Sequence, residues 1–73
     1  MQEDKHGKFK RLAKQRGERI LKDLQLLGNL SNTNNYTYTE ADVKKIFATL
    51  EQELRFSRSR FQKTISRNRG IDI

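Results

Sequence analysis

Residues 24–42 read LQLLGNLSNTNNYTYTEAD, and this stretch decides the fold. Its first four residues close an apolar helical pattern. Gly28 follows where a helix C′ residue would stand, since glycine takes the left-handed conformation at little cost. Residues 29–35 are rich in asparagine, serine and threonine, which bond local backbone in competition with a helix, so this is a loop. A second helix then starts with a full set of signals. Thr39 is a good N-cap, and Asp42 stands three residues on, where a capping box carries an acid, usually Glu or Gln. Glu40 and Asp42 suit the positive helix end. Tyr38 and Val43 match a hydrophobic staple.

Outward from the turn, each side reads as one amphipathic arm. The periodicity predicts a first helix over 8–27. At 100° per residue, Phe9, Ala13, Ile20, Leu24 and Leu27 fall within about 60° of one another, with Leu12 and Leu21 on either side. Glu18–Lys22 and Arg19–Asp23 are i,i+4 pairs of opposite charge. Gly17 lies near the stripe and either permits close helix approach or is a tolerated glycine costing about 1 kcal/mol. Arg16 is expected at the rim, its stem packed and its head in water. Ile20, Leu21, Leu24, Leu26 and Leu27 cover about 220° of the cylinder. One neighbouring helix cannot cover that arc, which points to self-association; the other reading is that the loop, through Leu30 and a tyrosine, folds back over it.

The second helix is predicted over 40–66, on a stripe of Val43, Ile46, Phe47, Leu50, Leu54, Phe61 and Ile65 at spacings of three, four and seven. Ser57 and Arg58 thin it after Leu54. Phe56 lies on roughly the opposite face, as an exposed aromatic or part of a second contact. Residues 1–7 and 67–73 read as a flexible leader and tail, the pattern breaking at Gly70.

Composition bounds the rest. A chain of 73 residues buries only about 60% of its unfolded surface, and small chains add disulfides, a metal or oligomerisation. There is no cysteine and one histidine, His6, so disulfides and thiolate metal sites are excluded and no cofactor is expected. The absence of proline suits long uninterrupted helices. No apolar run is long enough to span a membrane, and residues 1–10 lack the apolar core of a signal peptide, so no membrane partner and a cytoplasmic location are expected.

The net charge is +7 and unevenly placed. Residues 5–22 carry +7, residues 23–54 carry −3 and residues 55–73 carry +5. Folding the two helices back on one another would gather Lys8, Lys10, Arg11 and Lys14 beside Arg55, Arg58, Arg60, Lys63, Arg67 and Arg69 at one pole. Two partners suit that pole. Nucleic acid is one, because arginine grips phosphate bidentately, backbone contact dominates affinity, and Phe56 or Phe61 among arginines suits stacking on a base. No sequence-reading module is visible. An acidic protein surface is the other, arginine and aromatics being common interface anchors. A membrane-surface role for KFKRLAKQR is weaker, its apolar face being modest and without tryptophan. An enzyme is not expected: there is no His/Cys cluster, glycine-rich phosphate loop or nucleophile–base set, and Glu51 and Glu53 point to different helix faces.

Leu26, Leu27, Gly28, Asn29, Leu30, Ser31 and Asn32, then Asn35, Tyr36, Tyr38, Thr39, Val43, Ile46 and Phe47, resemble a segment of small uncharacterised bacterial proteins, often linked to plasmids or phages. The resemblance covers about the middle third of the chain. It implies an accessory rather than a metabolic role and transfers no site residues. In the loop itself, Asn29, Asn32 and Asn35 are suited to bonding helix-end carbonyls and Tyr36 to capping a core, with partner binding as the other use.

The expected architecture is therefore all-α: an antiparallel two-helix hairpin that self-associates, most simply as a four-helix bundle from two chains. Its expected core is Ala13, Ile20, Leu24, Leu27, Val43, Ile46, Phe47, Leu50 and Leu54.

Overall fold

The computed structural model describes residues 3–69. Among these, secondary structure is all helical: α1 spans Lys5–Gly28, one 3-10 turn spans Asn29–Ser31, and α2 spans Glu40–Arg69. The chain divides into two units, Met1–Thr37 and Tyr38–Ile73. Each unit contains one α-helix.

Helix α1 starts three residues before the helix predicted from its apolar pattern. Asp4 is the N-cap, with extended backbone (φ −75°, ψ 174°). Its carboxylate accepts the Gly7 N–H at 2.6 Å, and its carbonyl accepts the Lys8 N–H at 2.9 Å. A Cβ at Gly7 would meet that same carboxylate oxygen at 2.9 Å, so glycine fits closely under the cap. The expected flexible leader over 1–7 is thus helical from Lys5; residues 1 and 2 lie outside the described residues. An aspartate cap can start a helix ahead of its apolar stripe because it supplies acceptors to orphan N–H groups.

The end of α1 corrects the reading of Gly28. Its backbone is right-handed, φ −60° and ψ −30°, and it is the last residue of the helix. Asn29 follows in the same region (φ −65°, ψ −19°), its N–H donating to the Gln25 carbonyl. The chain tightens into the 3-10 turn and leaves helical space only at Asn32 (φ −68°, ψ 105°). Asn32 is the residue that makes the turn. Its side-chain oxygen accepts the Asn34 N–H at 3.0 Å, and its carbonyl accepts the N–H groups of Asn35 at 3.2 Å and Tyr36 at 3.1 Å. This local Asx bonding replaces the expected contacts from asparagine side chains to helix-end carbonyls.

Helix α2 begins as its sequence dictates. The Asp42 N–H donates to Thr39 Oγ1 at 3.0 Å, and the Thr39 N–H donates to Asp42 Oδ2 at 2.9 Å, which is the reciprocal capping box. The helix runs beyond residue 66, through Arg69; residues 70–73 of the expected tail lie outside the described residues. At 1.5 Å per residue, α1 is about 36 Å long and α2 about 45 Å.

None of the described residues is buried. The nine residues expected to form a core are exposed, except Leu27, which is half-buried; Leu24 is 43% and Leu54 65% exposed. A lone helix turns its apolar stripe outward and cannot cover it with itself. Tyr36, expected to cap a core, is also exposed. Of the expected i,i+4 pairs on α1, neither Glu18–Lys22 nor Arg19–Asp23 closes into an ion pair. Long solvated side chains gain little by holding one geometry.

Candidate nucleic-acid interface

The basic residues fall into two sets, one on each helix. On α1, Lys8, Lys10, Arg11 and Lys14 are all exposed. With Arg19 and Lys22 they occupy about 180° of the helix, on the side away from the Phe9–Ala13–Ile20–Leu24–Leu27 stripe. Arg11 is held in place: its Nε donates to Glu3 Oε1 and Oε2 at 3.1 and 3.2 Å. Glu3 partly neutralises it, which leaves Lys8, Lys10 and Lys14 as the stronger cationic members of this set.

On α2 the continuous helix separates residues that stand close in sequence. Phe56, Arg60, Lys63 and Arg67 follow one another at four, three and four residues, and so fall within about 60° on one side. That side is opposite the stripe through Val43, Phe47, Leu50, Leu54, Phe61 and Ile65. Phe56 is 57% exposed. Two shallow grooves share Ser59 and run along this side. One is lined by Ala48, Gln52, Arg55, Phe56 and Ser59, the other by Ser59, Gln62, Lys63, Ser66 and Arg67. Their linings combine small residues, Ala48, Ser59 and Ser66, with long cationic and aromatic side chains. No acid occurs between Glu53 and Asp72, so the run from Arg60 to Arg67 has no acid within it, Glu53 lying two turns before Arg60 on the same side.

Arg58 stands elsewhere. It lines an apolar groove with Leu54, Ser57, Phe61, Gln62 and Ile65, on the stripe side. Phe61 belongs with that groove, which leaves Phe56 as the aromatic among the cations. The seven-residue gap between Leu54 and Phe61, read from sequence as a thinning of the stripe, is filled by Ser57 and the stem of Arg58. The alignment of Phe56, Arg60, Lys63 and Arg67 was present in their spacing. What could not be read was that the helix stays regular through Arg69.

The charge at the far end of α2 has a local role. The Asp42 carboxyl is held below its ordinary value of 3.8, first by the Thr39 backbone N–H and then by the Thr39 hydroxyl. Lys44 lies 3.6 Å from Glu40, both side chains being largely exposed, a pairing that adds little stability. Among the described residues, no group of three or more His, Cys, Asp or Glu side chains stands close enough to hold a metal ion. No helix among them is long and apolar enough to cross a membrane.

Compared with known protein families, curated proteins and solved structures, the chain matches none.

Proposed function

We propose that this chain is a small basic accessory or regulatory protein that binds nucleic acid without catalysing a reaction, and that it works in the cytoplasm as a homo-oligomer of helical hairpins. The observation that carries the reading is the acid-free second half of α2, where Phe56, Arg60, Lys63 and Arg67 share one side of the helix beside grooves lined in part by Ser59 and Ser66. Cations at a spacing of about 5–6 Å along a rigid helix suit a phosphate backbone, and an exposed phenylalanine among them offers a stacking surface to an unpaired base. Closure of the hairpin would bring Lys8, Lys10, Arg11 and Lys14 to the same pole and extend the contact. The wide apolar arc of α1 and the exposed stripe of α2 support self-association, the simplest form being a four-helix bundle from two chains.

The test is fluorescence anisotropy with random-sequence single-stranded RNA and DNA across a salt series. Three phosphate contacts, from Arg60, Lys63 and Arg67, predict a slope of log K against log salt of about −2 for a single strand. Reversing Arg60, Lys63 and Arg67 to glutamate should abolish binding at moderate salt, and Phe56→Ala should weaken single-strand binding roughly tenfold while leaving the slope unchanged. Intact affinity in the triple reversal would refute the reading. Absence of any nucleic-acid binding at low salt would favour the second use of the same residues, docking on an acidic protein surface, for which the exposed Phe56 and its arginine neighbours are suitable anchors.

A further inference from the structure

We propose that α2 pairs with α2 of a second copy, antiparallel and in one register, with coiled-coil packing along a single seam. The inference rests on the self-association part of the reading above and adds its geometry. Phe47, Leu50, Leu54, Ser57, Phe61 and Thr64 recur at spacings of three, four, three, four and three, which is the heptad seam of a left-handed coiled coil. All lie within one uninterrupted helix. The two polar members fit a seam. Ser57 is only partly exposed, and the Thr64 hydroxyl donates to the Arg60 carbonyl at 3.1 Å, so its proton is satisfied inside the helix.

Charge selects the direction. The six basic residues of 55–69 have no acid among them, whereas 40–54 carries Glu40, Asp42, Glu51 and Glu53 against Lys44 and Lys45. A parallel pair would set the basic halves side by side. An antiparallel pair sets each basic half against the acidic half of its partner.

Charge and size also select the register. When Leu54 faces the partner's Ser57, Leu50 faces the partner's Phe61 and Phe47 the partner's Thr64, so large side chains meet small ones in two of the three layers. In an antiparallel coiled coil, residues on the same flank of the seam meet. In this register Glu51 meets the partner's Arg58, and Glu53 meets the partner's Arg60. Symmetry doubles both, giving four opposite-charge contacts. Sliding by one heptad keeps the seam aligned but sets Glu51 beside the partner's Glu51, Glu53 beside the partner's Glu53, and Lys44 beside the partner's Arg58. All three are like-charge contacts. The placement of Arg58 in the apolar groove with Leu54, Phe61 and Ile65 is then explained: it is a flanking residue of the seam, with its stem on the apolar side and its head directed at an acid on the partner. Phe56 and Lys63 stay outside the pair and Arg67 meets no acid of the partner, so these three remain open to nucleic acid, whereas Arg60 is shared with the partner's Glu53.

The test is a nitroxide on Lys44→Cys, in a chain that has no other cysteine, read by pulsed electron paramagnetic resonance. In the proposed register the two labels lie about 35 Å apart along the axis. One heptad of slip gives about 24 Å in one direction and about 45 Å in the other, and a parallel pair about 10 Å. Any of these three distances in a confirmed dimer overturns the pairing and leaves self-association standing. A monomer by light scattering, with no dipolar coupling, overturns both. As a second measurement, Glu51→Arg and Arg58→Glu should each weaken the dimer about tenfold, and the double variant should restore it. A double variant no tighter than the singles would refute the register.

Discussion

Gly28→Ala separates two descriptions of the turn by the sign of its effect. Gly28 has φ −60° and ψ −30°, inside the right-handed region open to every L-residue. A Cβ there would meet nothing within 4 Å. The substitution therefore adds no clash, removes conformational freedom from the unfolded chain, and should stabilise the end of α1 by about 0.5–1 kcal/mol. That corresponds to a two- to fivefold rise in the local helix equilibrium. Had Gly28 been the left-handed C′ residue, alanine would instead cost about 1–2 kcal/mol. Amide hydrogen exchange and Cα chemical shifts over residues 25–31 report the difference directly, with far-UV circular dichroism as a global check. Protection should rise in Gly28→Ala and fall when D-alanine is placed there by chemical synthesis. The opposite order, with D-alanine stabilising, would refute the right-handed assignment and return the helix stop to Gly28.

Further expectations follow from the two caps and the mid-helix glycine. Thr39→Ala should cost about 1 kcal/mol at the start of α2, seen as faster exchange of the amides of residues 40–43, while Thr39→Ser should retain most of the protection. Asp4→Ala should unwind the first turn of α1 and shorten the helix to near Lys8, visible in the Cα shifts of Lys5, His6 and Gly7. Because the Asp42 carboxyl titrates below its ordinary value, its contribution is present above about the unfolded value of 3.8 and is lost as pH falls through the lower folded value. A carboxyl carbon titration by nuclear magnetic resonance should show that low midpoint, and Thr39→Ala should raise it. Gly17→Ala places a Cβ where nothing lies within 4 Å and should raise the helicity of α1; if it also weakens the oligomer by sedimentation, Gly17 is a point of close helix approach.

Local features were the ones legible in the chain. The Thr39–Asp42 capping box, the two apolar stripes and the basic ends depend on residues within four positions of one another, and a helix turn is built from such neighbours. The helix boundaries were less legible. Asp4 starts α1 ahead of any apolar repeat, and a glycine at position 28 fits a helix interior as well as a C′ site, so spacing alone did not choose between them. Phe56, Arg60, Lys63 and Arg67 were all among the residues singled out from sequence, but grouped with Arg58 and Arg55 as one basic run. Their division into sides depends on α2 remaining a regular helix past residue 66.

The sequence by itself determined that this protein is helical, where α2 begins, and where its positive charge lies, because those properties are set by side chains acting on their near neighbours. The three-dimensional structure decided that Asn32 rather than Gly28 ends the helical path, that Glu3 engages Arg11, and that Phe56, Arg60, Lys63 and Arg67 stand apart from Arg58. Each of these depends on the actual backbone path: a dihedral angle at one glycine, a side chain reaching back across two helical turns, and unbroken helical phase over the length of α2. The exposed apolar stripes mark where the remaining information lies. An apolar face gains its stabilisation only when a second surface removes it from water, and the seam of α2 carries the charges that would choose that surface.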